Sequence, residues 1–267
     1  PITEMPPILI SLTSFGAAET RRYGQLWFTY LAHAAGVQGV EVREELLVDA
    51  DAEIPLIAAA VRDAGMAAVY SCPAPLWLPD GTLNQAALNQ ALAYAAQLGA
   101  TRLKFAIGHY GPDAHPDSLS TLQRTLAPTN IELVIENDQT VSAGTVPALQ
   151  AFFAAADALG LPLGMTFDMG NWHWNGECPL QAAEAFASRV VYVHCKGVQR
   201  LPAKWVAVPL SESAAPWRAV LRALPANVPW AIEYPLMGDD LLAVTTQETN
   251  HLRAVASAQA NATTHNP

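Results

Sequence analysis

Short apolar runs that end in polar residues or glycine recur along the chain at intervals of about 30 residues. This interval is the length of one β-strand plus one crossover helix, so eight such runs predict eight strands. The predicted strands are ILISLT at 8–13, GVEVR at 39–43, AAVYS at 67–71, TRLKFAI at 101–107, IELVIE at 131–136, LGMTFD at 163–168, VVYVH at 190–194 and WAIEY at 230–234.

The segments between these runs space their apolar residues as amphipathic helices do, for example Leu88, Leu92 and Ala95 before the helix-stopping Gly99. Strict alternation of strand and helix predicts parallel strands, and eight such units close into a (β/α)8 TIM barrel of the α/β class. The alternative is an open doubly wound sheet, which usually has a glycine-rich turn after its first strand; SLTSFGAAET contains no GxGxxG. Predicted helices occupy about 20–35, 52–64, 83–98, 117–127, 145–160, 179–188, 214–224 and 238–258.

The composition indicates one domain with one core. The chain has 267 residues, of which 51% are hydrophobic and 14% are charged, and this is near the usual size of a one-domain barrel. Residues 1–258 are therefore predicted to form the barrel. The small, polar segment 259–267, which includes His265, is predicted to be a flexible C-terminal tail.

Charge and hydropathy limit the location and the partners that we expect. No apolar run reaches the roughly 18 residues of a spanning helix, and the start, PITEMPPILISLTSFG, lacks the basic flank of a signal peptide. We therefore expect a cytoplasmic protein without membrane contact. A formal net charge of −10 without a Lys/Arg cluster argues against nucleic acid as a partner and leaves a small-molecule substrate.

Four ionisable residues close the last four predicted strands: Glu136 in VIEND, Asp168 in TFDMGN, His194 in VYVHCKG and Glu233 in AIEYP. In a parallel barrel all strands end at the same face, so these residues become neighbours. One such residue can simply lie near a helix N-terminus, but three converging carboxylates repel one another unless positive charge lies among them. The quartet therefore predicts a site for one divalent metal ion, with Mn²⁺, Mg²⁺, Co²⁺ and Zn²⁺ all compatible with its ligands.

This quartet and its spacing resemble the xylose-isomerase-like barrels, a family of sugar-phosphate isomerases and epimerases in carbohydrate metabolism. The resemblance implies that all four residues bind the metal, and that Glu136 and Glu233 also exchange a substrate proton through an enediolate. It implies a small ketose or keto-sugar acid as substrate, with phosphorylation left open. The segments ENDQT and DMGNW further resemble an epimerase-like subgroup associated with ketogluconate metabolism.

The same resemblance suggests substrate contacts close to the quartet. Arg200 lies where related epimerases place an arginine near the substrate, although a surface arginine is an equal alternative. Lys196 matches the lysine of an HxKD pattern, in which Gly197 here replaces the acidic residue. Asn171 occupies a position where several relatives have histidine, and His173 either compensates by binding a substrate hydroxyl or packs in the loop.

Other candidates follow earlier strands. Glu41 closes the second strand, where the family often keeps a glutamate that orients a neighbouring group. His109 follows the fourth strand and is a candidate substrate contact. Trp77 and Phe15, in loops after the third and first strands, either stack on a sugar or pack within their loops.

Three other functions remain open at this point. A dehydratase would use the same enediolate to expel a hydroxyl group, and a non-catalytic sugar-binding barrel would keep the fold alone. The related DNA-repair endonucleases need further histidines, one of them where this chain has Asn171, and a His-rich stretch where it has LPAKWVAVPL. Asp239 and Asp240 after the eighth strand oppose a phosphate dianion, and a homodimer is possible.

Overall fold

A computed structural model of the protein describes residues 5–264, and its centre is a closed barrel of eight parallel strands surrounded by helices. The predicted (β/α)8 barrel is therefore confirmed. The strands are β1 (Ile8–Ser11), β2 (Gly39–Arg43), β3 (Ala67–Ser71), β4 (Arg102–Phe105), β5 (Glu132–Glu136), β6 (Gly164–Asp168), β7 (Val190–Cys195), β8 (Gly197–Arg200), β9 (Trp205–Val208) and β10 (Trp230–Ile232). The strand order around the barrel is β1-β10-β7-β6-β5-β4-β3-β2, and β8 and β9 form a separate two-stranded sheet.

The helices lie near their predicted positions, with three differences, of which the first is an additional short helix at Val141–Gly144. The first predicted helix is divided at Gly24, whose φ of 87° favours glycine and ends a helix. The last helix continues to Thr264, through most of the predicted tail, while His265 lies outside the described residues. The helices are α1 (Ala17–Tyr23), α2 (Gln25–Ala34), α3 (Ala50–Asp63), α4 (Gln85–Leu98), α5 (Ser118–Leu126), α6 (Val141–Gly144), α7 (Val146–Ala158), α8 (Pro179–Phe186), α9 (Trp217–Ala223) and α10 (Leu241–Thr264).

Among these described helices, none has the length and apolarity that a membrane span requires.

An antiparallel hairpin, β8–β9, follows β7 where the sequence predicted only a loop. In its register Val198 lies opposite Ala207 and Arg200 lies opposite Trp205. Because successive side chains of a strand point to opposite faces, these four residues share one face of the hairpin. The short apolar run WVAV, bounded by Lys204 and Pro209, is a weak strand signal.

The side chains inside the barrel change from apolar to ionisable toward the carboxyl ends of the strands. Leu9, Val69, Tyr192 and Ala231 form a small buried apolar cluster, separate from the large core between strands and helices. Because side chains alternate along a strand, the residue two positions after Tyr192 lies on the same side of β7, closer to its carboxyl end. That residue is His194, so the apolar cluster forms the floor beneath the predicted metal site.

Candidate metal centre

All four residues of the predicted quartet meet at the carboxyl end of the barrel. His194 Nδ1 lies 2.8 Å from Glu136 Oε2, 3.5 Å from Asp168 Oδ2 and 3.6 Å from Glu233 Oε2. His194 is fully buried, and the three carboxylate side chains are 1–12% exposed. The barrel thus brings one imidazole nitrogen and three carboxylate oxygens to a common point.

His194 and Asp168 each have one side-chain atom that contacts a carboxylate or the backbone on the side away from the centre. His194 Nε2 lies 2.8 Å from Glu41 Oε1, a contact that would keep the proton on Nε2 and free the Nδ1 lone pair when the imidazole becomes neutral. Asp168 Oδ1 accepts hydrogen bonds of 2.9 Å from the backbone N–H groups of Gly170 and Asn171. In both residues one atom is engaged by the protein and the other faces the centre.

The two glutamates are held in the same manner by cations. Glu136 Oε1 lies 3.1 Å from Lys104 Nζ, and Glu233 Oε1 lies 3.7 Å from an Arg43 guanidinium nitrogen. Their second oxygens, the Oε2 atoms, point to His194. Each glutamate therefore spans the distance between a fixed positive charge and the centre.

The four atoms that face the centre are buried and make no hydrogen bond of regular geometry, although two of them have close charged neighbours: Lys196 Nζ lies 3.0 Å from Asp168 Oδ2, and His194 Nδ1 lies 2.8 Å from Glu136 Oε2. The four atoms are Glu136 Oε2, Asp168 Oδ2, His194 Nδ1 and Glu233 Oε2. Buried polar atoms in native proteins are almost always satisfied, so four such atoms at one point require an explanation. A divalent cation with oxygen and imidazole ligands fits this donor set, because it would satisfy all four atoms at once.

Three largely buried cationic side chains adjoin the quartet, and the sequence did not predict that together they would neutralise part of its negative charge. Besides Arg43 and Lys104, Lys196 Nζ lies 3.0 Å from Asp168 Oδ2. The expectation that a metal ion must compensate the converging carboxylates is therefore too simple, because protein cations supply part of that charge. The unsatisfied donor atoms, rather than the charge balance, carry the argument for a metal.

The ionisation of the site follows from these contacts. Burial alone would raise the pKa of Glu136, but the ammonium of Lys104 and the imidazole of His194 outweigh it and lower the pKa. Burial would likewise lower the pKa of His194, but the carboxylates of Glu41, Glu136 and Glu233 raise it well above its usual value. Glu136 is therefore ionised at neutral pH.

The loops after β5 and β6 are joined by asparagines that fix the position of Asp168. The Asn137 side chain accepts a hydrogen bond from Asp168 N at 2.8 Å and donates one to Asp168 O at 3.0 Å. Asn171 Oδ1 accepts hydrogen bonds from Lys196 Nζ and Gln139 Nε2, and its Nδ2 donates to Asn137 O. Asn137 and Gln139 are functional candidates that sequence reasoning missed, although ENDQT contains both.

A cavity of about 310 Å³ opens beside the quartet, between the loops after β1 and β10 and the hairpin. Glu233 and Lys196 line it, together with Ser14, Ala207 and Met237. A pocket of roughly this size accommodates a small polar ligand. Of the predicted substrate contacts, Lys196 is therefore the one placed at this cavity.

Other predicted substrate contacts lie elsewhere. Glu41 is fully buried beneath the quartet, where it contacts His194 and Tyr192 and does not line the cavity. Trp77 is also fully buried and packs against Tyr110 and Phe152, which is the packing alternative.

The remaining candidate substrate contacts lie at the hairpin, at a second cavity or in the core. Arg200 is exposed, donates to Leu201 O and lies over the Trp205 ring, whereas the His173 ring lies 4.9 Å from that of Trp205. His109 lines a separate cavity of about 600 Å³. Phe15 is buried and stacks on Phe28. None of these contacts includes a quartet residue.

Comparison with known proteins gives a family match and a fold match. The family model of the xylose isomerase-like TIM barrel matches residues 30–255 of the chain. No curated protein matches the chain by sequence.

Several solved structures share the fold over nearly the whole chain. An L-ribulose 3-epimerase superposes with a TM-score of 0.73 at 17% identity, covering 98% of this chain and 100% of that one. A D-allulose 3-epimerase from Methylomonas sp. gives 0.67 at 14% identity, covering 94% and 97%. A structure described as a probable 3-DHS dehydratase from Bacillus anthracis gives 0.69 at 12% identity, covering 92% and 98%.

Proposed function

Because the chain belongs to the xylose isomerase-like TIM barrel family, we propose that it is a divalent-metal-dependent isomerase or epimerase of a small ketose or keto-sugar acid. The observation that carries this proposal is the convergence of four buried, unsatisfied donor atoms on one point of the barrel mouth. Solved structures of the same fold that are described as an L-ribulose 3-epimerase and a D-allulose 3-epimerase support the reaction class.

In the proposed mechanism the quartet holds the ion, and two of its members also move protons. A divalent ion held by these residues would supply Lewis acidity, which would acidify the C–H next to a substrate carbonyl. Glu233, which lines the cavity, removes or returns the proton on the side of the carbon that faces it. Glu136, on β5, serves the other face of the same carbon. The lowered pKa of Glu136 keeps its carboxylate ionised at neutral pH, as a general base requires.

Lys196 is proposed to bind the oxygen that becomes negative in the enediolate, or the carboxylate of a keto-sugar acid. Its side chain is 10% exposed, reaches the cavity, and is held by Asp168 and Asn171. A buried ammonium fixed by two oxygens is preorganised, so it stabilises developing charge without reorganising. A lysine in this place favours an anionic or enediolate-forming substrate over a plain polyol.

Deuterium wash-in tests this function directly. The metal-reconstituted protein is incubated in D₂O with a panel of ketoses and keto-sugar acids, and exchange of the C–H next to the carbonyl is measured. We expect exchange that falls by about 10²–10⁴-fold in Glu136→Gln and Glu233→Gln, because each removes one acid/base group. Glu132→Gln is the matched control, since it alters the same strand as Glu136 at the opposite end of the barrel.

The products then separate the reaction classes. Inverted stereochemistry identifies an epimerase, a shifted carbonyl identifies an isomerase, and loss of water identifies a dehydratase on the same site. Ligand that binds and is recovered without exchange, with the metal present in the site, contradicts the proposal and favours a sugar-binding barrel.

A further inference from the structure

Lys104, at the carboxyl end of β4, is buried against the quartet without belonging to it. Its side chain is 4% exposed, and its Nζ lies 3.1 Å from Glu136 Oε1 and 3.9 Å from Glu41 Oε2. Glu136 Oε2 lies on the other side of the same carboxylate, 2.8 Å from His194 Nδ1. Lys104 therefore contacts the oxygen of Glu136 that faces away from the centre.

The strand geometry fixes this arrangement. β4 and β5 pair in parallel register, with Lys104 opposite Val134, so Glu136 lies two residues further along the neighbouring strand. Leu103 and Phe105 are fully buried in the core between the strands and the helices, which leaves Lys104 on the opposite, inner face of the barrel. The lysine therefore projects into the barrel mouth because of its strand position, and not because of a flexible loop.

Glu136 has few other interactions that would hold it. Its Oε2 faces His194 Nδ1 at 2.8 Å, and its Oε1 accepts a hydrogen bond from Lys104. The opposing glutamate differs, because Arg43 approaches Glu233 at 3.7 Å but lies closer to Glu41, at 2.6 Å. The cation of Glu136 is thus near, at 3.1 Å, and closer to Glu136 than to Glu41, whereas the cation of Glu233 is more distant and closer to Glu41.

We propose that Lys104 is a positioning residue, which engages Glu136 Oε1 so that only Oε2 is available to the metal, and which weakens metal binding through its own charge. This inference rests on the proposed function. It assigns to Lys104 two effects of opposite sign, since the lysine lowers metal affinity while it keeps Glu136 in the orientation that proton transfer needs.

A variant that removes the charge of Lys104 distinguishes the two proposed effects, on metal affinity and on proton transfer, from a general loss of stability. In Lys104→Gln, metal affinity is expected to rise on the order of tenfold, because a cation close to a ligand carboxylate is lost. Deuterium exchange at saturating metal is expected to fall about 10²-fold, because Glu136 is no longer held for proton transfer. A destabilised or unfolded site would instead lose affinity and exchange together.

The experiment compares Lys104→Gln, Lys104→Met and Lys104→Arg as full-length proteins. Binding of Mn²⁺ is measured by calorimetry, and the visible spectrum of the Co²⁺-loaded protein reports its ligands. Lys104→Arg, which keeps the charge, is expected to restore both affinity and spectrum toward those of the unsubstituted protein. The matched control is Arg102→Met, which removes the cation 3.2 Å from Glu132 on the same two strands at the opposite end of the barrel.

Unchanged or weaker Mn²⁺ binding in folded Lys104→Gln, or an unaltered Co²⁺ spectrum, overturns the inference. If Lys104→Met does not fold, Lys104→Gln still decides it, since glutamine removes the charge while it keeps a polar side chain in the buried site. Metal binding without exchange in the unsubstituted protein contradicts only the proposed function. Failure to bind any metal contradicts both.

Discussion

The strands β4 and β5 carry two ion pairs, one at each end of the barrel, which are alike in chemistry and differ in environment. Arg102 and Glu132 lie 3.2 Å apart, with side chains 24% and 44% exposed. Lys104 and Glu136 lie 3.1 Å apart, with side chains 4% and 12% exposed. Only the second pair adjoins unsatisfied donor atoms. Distance alone therefore does not distinguish these two ion pairs, whereas burial and the surrounding atoms do.

The largest expected difference between these two pairs is in stability. Lys104→Met leaves the buried Glu136 carboxylate without its cation, and we expect a loss of about 3–5 kcal/mol in the free energy of unfolding. Arg102→Met breaks a partly exposed pair that solvent screens, and we expect a loss of about 0–1 kcal/mol. Urea denaturation in the presence of a chelator measures both.

The double variant Lys104→Met/Glu136→Gln is the control for this comparison. Because it also removes the charge left behind, we expect it to regain much of the stability lost in Lys104→Met. Equal losses of unfolding free energy in Lys104→Met and Arg102→Met would mean that burial does not distinguish the two ion pairs.

The comparison extends to two carboxylates that share Arg43. Glu41 Oε2 lies 2.6 Å from Arg43, and Glu45 Oε1 lies 2.9 Å from it, but only Glu41 also contacts His194. Glu41→Gln is expected to weaken metal binding by about 10–100-fold, because the partner that orients the imidazole is altered. Glu45→Gln is the control, with a change under about threefold. Titration with Mn²⁺ gives both values, and equal effects would contradict the orienting role of Glu41.

The barrel and the quartet could be predicted because both depend on patterns that are regular along the chain. Eight apolar runs fix the strand order, and a parallel barrel places all strand ends together, so Glu136 and Glu233 become neighbours without any knowledge of loops. The position of Lys104 was also readable in principle. It alternates with Leu103 and Phe105, which face the helices, but the run TRLKFAI was interpreted only as a strand.

The loop residues could not be placed from the sequence because their conformations follow no period. Trp77 was expected either to stack on a sugar or to pack in its loop, and its burial against Tyr110 depends on how the loops after β3 and β4 meet. The hairpin β8–β9 was missed for a related reason. Two four-residue strands are too short to give a periodic signal, and Gly197 and Arg200 were read only against a family pattern.

A smaller effect, on the pH dependence of the site, follows from the raised pKa of His194. Because that pKa is raised on folding, the bound proton contributes stability that is fully present below about pH 6.5 and is lost as the pH rises through the raised pKa. A metal-binding imidazole must be neutral, so metal binding is expected to release about one proton and to strengthen about tenfold per pH unit below the raised pKa.

Calorimetry in two buffers of different ionisation enthalpy measures this proton release. Glu41→Gln is expected to release fewer protons, since Glu41 is the largest of the charges that raise the pKa of His194. Identical heats in the two buffers would show that His194 is already neutral before the metal binds.

The smallest expected effect concerns the second cavity, where the comparison is between two pockets on the same face of the barrel. His109 lines the cavity of about 600 Å³ with Asp80 and Asp113, and Glu233 lines the smaller one beside the quartet. Because no quartet residue borders the His109 cavity, His109→Ala is expected to change the exchange rate by less than about twofold. Lys196→Met, in the smaller cavity, should lower it by about 10²-fold. A loss in His109→Ala comparable to that in Lys196→Met would mean that the substrate extends into the larger cavity, so that the reactive and the binding ends of the substrate lie in different pockets.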